Sequence, residues 1–147
     1  MDNSSADRPR NRPLKVFLIE DSVAIRESLS QALESSGRVV VCGTADGANK
    51  ALREIEDSDP DVVIVDLQLR QGNGFDVLAA LQQRDSAHTL VKMVLTNYST
   101  PIFKQRSMAL GAQLFFDKSL EFESIIDTLN AFADRKDPQA SNEASLR

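Results

Sequence analysis

The sequence Val62-Val-Ile-Val-Asp66 contains the pattern that decides the fold. Four consecutive β-branched residues are typical of a strand buried on both faces, as the strands of parallel sheets are. A glycine-containing loop at Leu67–Asn73 follows Asp66 and leads into a helical pattern from about Gly74 to Arg84. This stretch therefore predicts one strand–loop–helix unit of a parallel sheet.

The same alternation of strands and helices continues on both sides of this unit. Short apolar runs predict further strands at residues 14–19, 39–43, 90–95 and 114–116. Apolar residues at helical spacing predict helices from Ser22 to about Ser35, Ala48 to about Asp57, Pro101 to Gly111 and Leu120 to about Ala133. Five strands that alternate with five helices indicate an α/β fold, a doubly wound five-stranded parallel sheet with helices on both faces.

One folded domain accounts for most of the chain. A length of 147 residues fits a single domain, and a hydrophobic content of 41% is enough for a core. Residues 1–13 and 134–147 are almost entirely polar and predict tails on either side of a domain at residues 14–133. Because only fourteen residues follow Ala133, we expect no attached output domain.

The composition argues against several classes of function. Seventeen basic and twenty-two acidic residues give a net charge of −5, which disfavours direct nucleic-acid binding through a basic face. The single cysteine, Cys42, excludes an internal disulfide and a thiolate metal cluster. The N-terminal residues lack the apolar core of a signal peptide, and no apolar run approaches the length of a membrane span. We therefore expect a cytoplasmic protein without membrane insertion.

Polar side chains follow four of the predicted strands at the point where each strand ends. In a doubly wound sheet, ligands bind beyond the carboxyl ends of the strands, so we expect these side chains to converge at one edge. Neighbouring carboxylates near a protein surface repel by about 4 kcal/mol per pair, so they require a cation when all are ionised. The residues are Glu20-Asp21, Asp66, Thr96-Asn97 and Asp117-Lys118.

These residue types favour phosphoryl chemistry at a magnesium site. Oxygen ligands without histidine or cysteine favour a hard cation. Mg²⁺ fits best because it keeps some of its water ligands and binds phosphate oxygens of a substrate as well as protein oxygens. A carboxylate beside Mg²⁺ can accept a phosphoryl group as an acyl phosphate. Lys118 would neutralise charge on the transferring oxygens, and Thr96 would hydrogen-bond one of them.

Two motifs carry a resemblance to a known family. The order and spacing of the acidic residues, Thr96 and Lys118 resemble the receiver domain of two-component response regulators, of the stand-alone, chemotaxis-regulator-like type. The loop and helix after the family's phosphoacceptor are similar to the stretch Asp66-Leu-Gln-Leu-Arg-Gln-Gly-Asn-Gly-Phe-Asp-Val-Leu78. The family's fifth strand is similar to Phe115-Phe116-Asp117-Lys118. The resemblance covers residues 14–133 and implies a flavodoxin-like sheet with strand order 2-1-3-4-5.

The resemblance also implies roles for individual residues. Asp66 would accept a phosphoryl group from a histidine kinase or a histidine phosphotransfer protein, with Lys118 in support. Thr96 and Phe115 would form the switch, Phe115 turning inward as Thr96 moves toward the phosphoryl group. Mg²⁺ would be held by Asp21, Asp66 and the main-chain carbonyl of Gln68 directly, and by Glu20 through water.

The resemblance further implies what the protein does with the phosphoryl group. It would be a signalling switch and not an enzyme, since it would catalyse only its own phosphorylation and dephosphorylation. Its contact surface for a downstream protein would lie at residues 101–133, and phosphorylation could also drive homodimer formation. Without an output domain, the chain would act through protein contacts or by relaying phosphate.

The sequence departs from the family pattern near the site. Ser119 stands where a proline usually follows the lysine, so we expect a trans peptide bond there. Gln68, Asn97 and Tyr98 are expected to line the route to the phosphoryl group, slow the approach of water and lengthen the lifetime of the acyl phosphate. The dephosphorylation rates of Asn97→Ala and Tyr98→Ala test this prediction.

Three alternative functions are compatible with the same fold. A phosphorylation-independent interaction module usually lacks part of the acidic set or the lysine, and this chain has lost none of them. A Mg²⁺-dependent phosphohydrolase that forms an aspartyl phosphate usually has a second aspartate two residues after the nucleophile, where this chain has Gln68. A nucleotide or flavin binder would need a glycine-rich or hydroxyl-rich loop after the first strand, where Glu20 and Asp21 would instead repel a phosphate.

Overall fold

Five parallel strands and five helices alternate along the chain in the computed structural model, which describes residues 12–84 and 90–135. The strands pair in the order β2-β1-β3-β4-β5, which confirms the predicted fold class and strand order. The strands are β1 (Leu14–Ile19), β2 (Val39–Ala45), β3 (Val62–Val65), β4 (Val91–Thr96) and β5 (Leu114–Asp117). The helices are α1 (Val23–Glu34), α2 (Ala48–Ser58), α3 (Gly74–Gln82), α4 (Pro101–Ala109) and α5 (Phe122–Arg135).

Two apolar clusters cover the two faces of the sheet. Because side chains alternate along a strand, neighbouring residues of β1 and β3 belong to opposite clusters. Phe17 and Val63 pack under α2 and α3, whereas Leu18 and Ile64 pack under α1 and α5. All four residues of β3 are buried, as the run of β-branched residues predicts. The central strands are thereby fixed on both sides, and their carboxyl ends present polar side chains at a defined edge.

Three of the helices that begin at this edge have a side chain that caps the first turn. Ser22 accepts a hydrogen bond from Ile25 N at 3.3 Å at the start of α1, and Thr100 accepts one from Phe103 N at 3.3 Å at the start of α4. Asn73 accepts one from Asp76 N at 3.0 Å at the start of α3. These caps satisfy main-chain donors that a helix leaves free, so they fix where the loops at this edge end.

The boundaries of several elements differ from those expected. α5 begins at Phe122 and not at Leu120, because Asp117 holds residues 119–121 in a hydrogen-bonded turn. α5 continues through Arg135, and Asp134 forms an ion pair with Arg38, so the folded part extends past residue 133. The rest of the expected tails, residues 1–11 and 136–147, lies outside the described residues. Within the described ranges, no helix has the length and apolar character needed to cross a membrane.

Candidate functional site

A cavity of about 290 Å³ opens at the carboxyl edge of the sheet, next to the ends of β1 and β3. Its walls come from the loops that follow β1, β3, β4 and β5, as expected for a ligand site in a doubly wound sheet. The lining residues are Glu20, Asp21, Ser22, Ile25, Asp66, Gln68, Leu69, Asn97, Tyr98 and Lys118.

Three carboxylates converge in this cavity. Each of Glu20, Asp21 and Asp66 offers an oxygen atom that lies within 4.8 Å of the others. Glu20 and Asp66 are buried, with exposed fractions of 3% and 6%, whereas Asp21 is half-buried. Buried carboxylates so close to one another need compensating positive charge.

Lys118 supplies part of that charge. Its ammonium nitrogen lies 2.8 Å from Glu20 Oε1 and 2.7 Å from Asp66 Oδ2, so one side chain bridges β5 to both β1 and β3. Burial lowers the pKa of Lys118, but its hydrogen bonds to Asp66 and Glu20 outweigh burial and leave the pKa raised above the usual 10.5. Lys118 is therefore charged at neutral pH, and three ionised carboxylates with one ammonium leave a net charge of −2.

This charge and these donors fit a divalent hard cation. Burial raises the pKa of Glu20 above 4.5, although the hydrogen bond from Lys118 opposes the shift, which shows that the carboxylate is poorly solvated. Among the described lining residues the charged ligand atoms are all carboxylate oxygens, the donors that Mg²⁺ prefers. Glu20, Asp21 and Asp66 are the residues that would hold the ion, and Gln68 also lines the cavity.

The loop between β1 and α1 is fixed at Glu20 by three hydrogen bonds. Glu20 N donates to Ala45 O at 2.9 Å, and Glu20 Oε2 accepts from Ser22 N at 3.0 Å. Arg26 Nη1 donates to Glu20 O at 2.7 Å and so holds the peptide group that precedes Asp21. Sequence reasoning missed Arg26, although a basic residue in the second turn of α1 can reach back over the helix start.

The loop between β3 and α3 is packed directly against Asp66. Gly74 N donates to Leu67 O at 2.9 Å, and a Cβ atom on Gly74 would lie 2.4 Å from Asp66 O. Gln68 N donates to Asp66 Oδ1 at 3.3 Å. A glycine is required at the start of α3 because main-chain atoms, which cannot swing aside, occupy the space of a side chain.

The two predicted switch residues do not line the cavity. Thr96 has no exposed surface, and its Oγ1 accepts a hydrogen bond from Tyr98 N at 3.2 Å. Phe115 is half-buried and packs with Phe103 against the core cluster under α2 and α3. Asn97 and Tyr98, in contrast, line the cavity as expected, while their effect on phosphoryl lifetime stays a prediction. The described peptide bonds are all trans, including the one before Ser119.

Comparison with known proteins identifies the family. The family model for the response regulator receiver domain matches residues 16–130, which include the cavity-lining residues named above. This chain belongs to the response regulator receiver domain family. Receiver domains take phosphoryl groups from histidine kinases, so membership places the chain in phosphorylation-dependent two-component signalling.

Individual relatives share the receiver domain with this chain. It is 28% identical to the sensory transduction protein LytT of Bacillus cereus over 134 residues, which are 91% of this chain and 53% of that protein. It is 32% identical over 111 residues to a protein-glutamate methylesterase/protein-glutamine glutaminase of Cereibacter sphaeroides, covering 76% of this chain and 30% of that protein. The signal receiver domain of NarL from Mycobacterium tuberculosis superposes with a TM-score of 0.75 at 25% identity, over 83% of this chain and 97% of that domain.

The extent of these matches limits what they say about this chain. It spans about half the length of the LytT proteins and less than a third of the methylesterase. The activities in those names belong to the whole proteins, and the shared part is the receiver domain.

Proposed function

We propose that the protein is a phosphorylation-activated switch in which Asp66 accepts a phosphoryl group from a histidine kinase or a histidine phosphotransfer protein. The observation that carries the proposal is the position of Asp66, buried in the cavity with Lys118 Nζ 2.7 Å from Oδ2. The carboxylate is desolvated and oriented, and a positive charge stands where a phosphoryl oxygen would arrive. A switch that takes its phosphoryl group from such a donor works in the cytoplasm, where histidine kinases present their phosphohistidines.

The transfer forms an acyl phosphate on Asp66. A carboxylate oxygen of Asp66 attacks the phosphorus atom of the phosphohistidine, and the phosphorus–nitrogen bond breaks. The donor histidine, which carries a proton on its other ring nitrogen, leaves as a neutral imidazole. Lys118 neutralises charge on the phosphoryl oxygens, and Thr96 donates its hydroxyl hydrogen to one of them after moving toward the cavity. Asp21, Asp66 and the Gln68 carbonyl, with Glu20 through water, would hold Mg²⁺, which would supply further positive charge to the same oxygens.

Phosphorylation would change the protein's contacts at residues 101–133. Two apolar side chains of this region lie outside the core and are exposed to solvent, Ile102 at 71% and Leu120 at 82%. Within α4 only Ser107 is buried, so most of the helix surface is available to a protein partner. Phe115 packs against the same core cluster as Phe103 of α4 and, by turning inward with Thr96, would pass the state of the site to this surface.

Phosphorylation is tested by intact mass after incubation with acetyl phosphate and Mg²⁺. We expect the wild type to gain one phosphoryl group, and Asp66→Asn or a sample with EDTA to gain none. Asp57→Asn, on the exposed face of α2, is the matched control and should behave as wild type. No gain in the wild type would instead favour a phosphorylation-independent interaction module. Turnover of a phosphate monoester such as p-nitrophenyl phosphate would favour a phosphohydrolase.

The contact surface is tested first for self-association. Sedimentation with and without the phosphoryl analogue beryllofluoride compares the two states in the same buffer. A dimer that forms only with the analogue and is abolished in Ile102→Glu would identify a second copy of the chain as a partner. A monomer under both conditions would direct the search to a different downstream protein.

A further inference from the structure

The carboxylate of Asp117 joins two loops that flank the site. Its Oδ1 accepts hydrogen bonds from Ser119 N at 2.9 Å, Ser119 Oγ at 2.6 Å and Leu120 N at 3.1 Å, all in the turn after β5. Its Oδ2 accepts a hydrogen bond from Ser99 Oγ, in the loop between β4 and α4. The two oxygens of one side chain therefore serve two different segments.

The Oδ1 bonds shape the turn that carries Lys118. Ser119 donates both its N–H and its hydroxyl to Asp117, and a proline at this position could donate neither. Glu121 completes the turn, since its Oε1 accepts from Asp117 N at 2.8 Å and its N donates to Asp117 O at 2.7 Å. This turn is thus held by a network of hydrogen bonds centred on Asp117, with Lys118 inside it.

The Oδ2 bond restrains the segment that follows Thr96. Thr96 is fully buried and does not line the cavity, and in the proposed function its hydroxyl moves toward a group on Asp66, which displaces the start of the following loop. Two hydrogen bonds hold that loop. Tyr98 N donates to Thr96 Oγ1, and Ser99 Oγ donates to Asp117 Oδ2. The second contact must lengthen or break when the loop moves.

We propose that Asp117 is a positioning residue of the switch, which holds the turn of Lys118 through Oδ1 and restrains the loop after Thr96 through Ser99. This inference rests on the proposed phosphorylation of Asp66. The hydrogen bonds from Ser119 and Ser99 lower the pKa of Asp117 from 3.8 to about 2, so the carboxylate is ionised and accepts these bonds at neutral pH. The restraint stabilises the resting conformation and makes it harder for Thr96 to engage a phosphoryl group.

The restraint is tested in the unmodified protein by amide hydrogen exchange. Ser99→Ala removes the bond to Oδ2 and leaves the three Oδ1 bonds in place. We expect exchange in the segment at residues 97–104 to rise about 3- to 10-fold, the effect of losing one such hydrogen bond. Ser36→Ala is the matched control, because Ser36 Oγ also joins two elements, at 2.8 Å from Asn130 Oδ1, far from the site. Unchanged exchange in Ser99→Ala would overturn the restraint.

The effect on the switch is tested by binding of beryllofluoride with Mg²⁺. The fluorescence of Tyr98 reports binding, because Tyr98 lines the cavity and is the only tyrosine in a chain without tryptophan. We expect Ser99→Ala to bind the analogue about 3- to 10-fold more tightly than the wild type, because less of its affinity is lost in displacing the loop. Asp117→Ala should bind more weakly than Ser99→Ala, since it also loses the Oδ1 bonds that hold Lys118.

The outcomes separate this inference from the proposed function. An affinity of Ser99→Ala equal to or below that of the wild type overturns the restraint, and equal affinities of Asp117→Ala and Ser99→Ala overturn the role in holding Lys118. A wild type that binds no beryllofluoride with Mg²⁺ contradicts phosphorylation of Asp66. In that case the hydrogen exchange of Ser99→Ala still decides whether the restraint exists.

Discussion

Arg26 acts on the acidic site through the main chain. Its guanidinium holds the carbonyl of Glu20 at 2.7 Å, and this carbonyl belongs to the peptide group that sets the direction of Asp21. Since Asp21 is one of three carboxylates that must point at a common centre, a small rotation of this peptide would move its oxygens away from the others.

Replacing Arg26 should therefore weaken metal binding as well as the fold. We expect Arg26→Met to reduce Mg²⁺ affinity about 3- to 10-fold and to lower the free energy of unfolding by about 0.5–1.5 kcal/mol, the value of one hydrogen bond. Titration calorimetry with Mg²⁺ and urea unfolding measure the two quantities. Arg53→Met, on the exposed face of α2, is the control, and equal Mg²⁺ affinities of both variants would contradict the role of Arg26.

The lowered pKa of Asp117 leads us to expect that the free energy of unfolding depends on pH in the acid range. Its pKa in the folded protein is about 2, below its ordinary value of 3.8, so its contribution to stability is present above pH 3.8 and is lost as the pH falls toward 2. The difference in unfolding free energy between the wild type and Asp117→Asn should be constant above about pH 5 and shrink below it. Urea unfolding at a series of pH values measures this difference, and a difference that does not change with pH would contradict the assignment.

At the scale of single elements, the strands could be predicted from the sequence more closely than the turns. β3 is a run of β-branched residues that is buried on both faces, and its bounds were predicted correctly as Val62–Val65. The start of α5 was not, because Leu120 fits the helical pattern, while hydrogen bonds from residues 119–121 to Asp117 keep that segment in a turn. Such bonds depend on where β5 ends in three dimensions and leave no periodic pattern in the sequence.

The same distinction applies to the site. The convergence of the acidic residues follows from parallel topology, because the strand ends that carry them must meet at one edge. The contacts of Arg26 and Ser99 do not follow from topology, since an exposed arginine or serine has the same sequence context whether or not it bonds across loops. Sequence therefore predicts which residues gather at the edge, whereas the structure is needed to find those that hold them in position.

The packing of α3 against the end of β3 leads to a prediction for Gly74. A Cβ atom there would lie 2.4 Å from Asp66 O and 2.8 Å from Leu67 Cα, both main-chain atoms. Although alanine favours helices over glycine by up to about 1 kcal/mol, we expect Gly74→Ala to be destabilising by about 1–3 kcal/mol, because the main chain must shift. Urea unfolding measures the change.

Gly74→Ala should also affect the chemistry, because the displaced main chain is that of Asp66. We expect a slower gain of mass from acetyl phosphate than in the wild type. Gly37→Ala is the control. Gly37 has a φ of +78°, and an added Cβ would have no atom within 4 Å. Its substitution therefore lowers stability through local backbone strain far from the site. A Gly74→Ala protein as stable and as reactive as the wild type would contradict the close packing.

At the scale of the whole molecule, the site exists only when the sheet is formed. Glu20 and Asp21 follow β1, Asp66 follows β3 and Lys118 follows β5, so the unfolded chain cannot bring these groups together. The folded protein consequently holds a cavity with a net charge of −2, whose mutual repulsion opposes folding. A cation that binds there relieves this repulsion and binds the folded state alone.

Mg²⁺ should therefore stabilise the protein by mass action. At a concentration one hundred times its dissociation constant, a ligand of the folded state adds about 2.7 kcal/mol to the free energy of unfolding. We expect this gain in urea unfolding with Mg²⁺, compared with sodium chloride of equal ionic strength. Asp21→Asn should raise stability without metal, because one repelling charge is removed, and should lose most of the gain with metal. An equal gain in unfolding free energy from Mg²⁺ in the wild type and in Asp21→Asn would contradict binding at this site. Binding at a site that includes Asp21 stabilises the wild type more than the variant, whereas a general salt effect stabilises both equally.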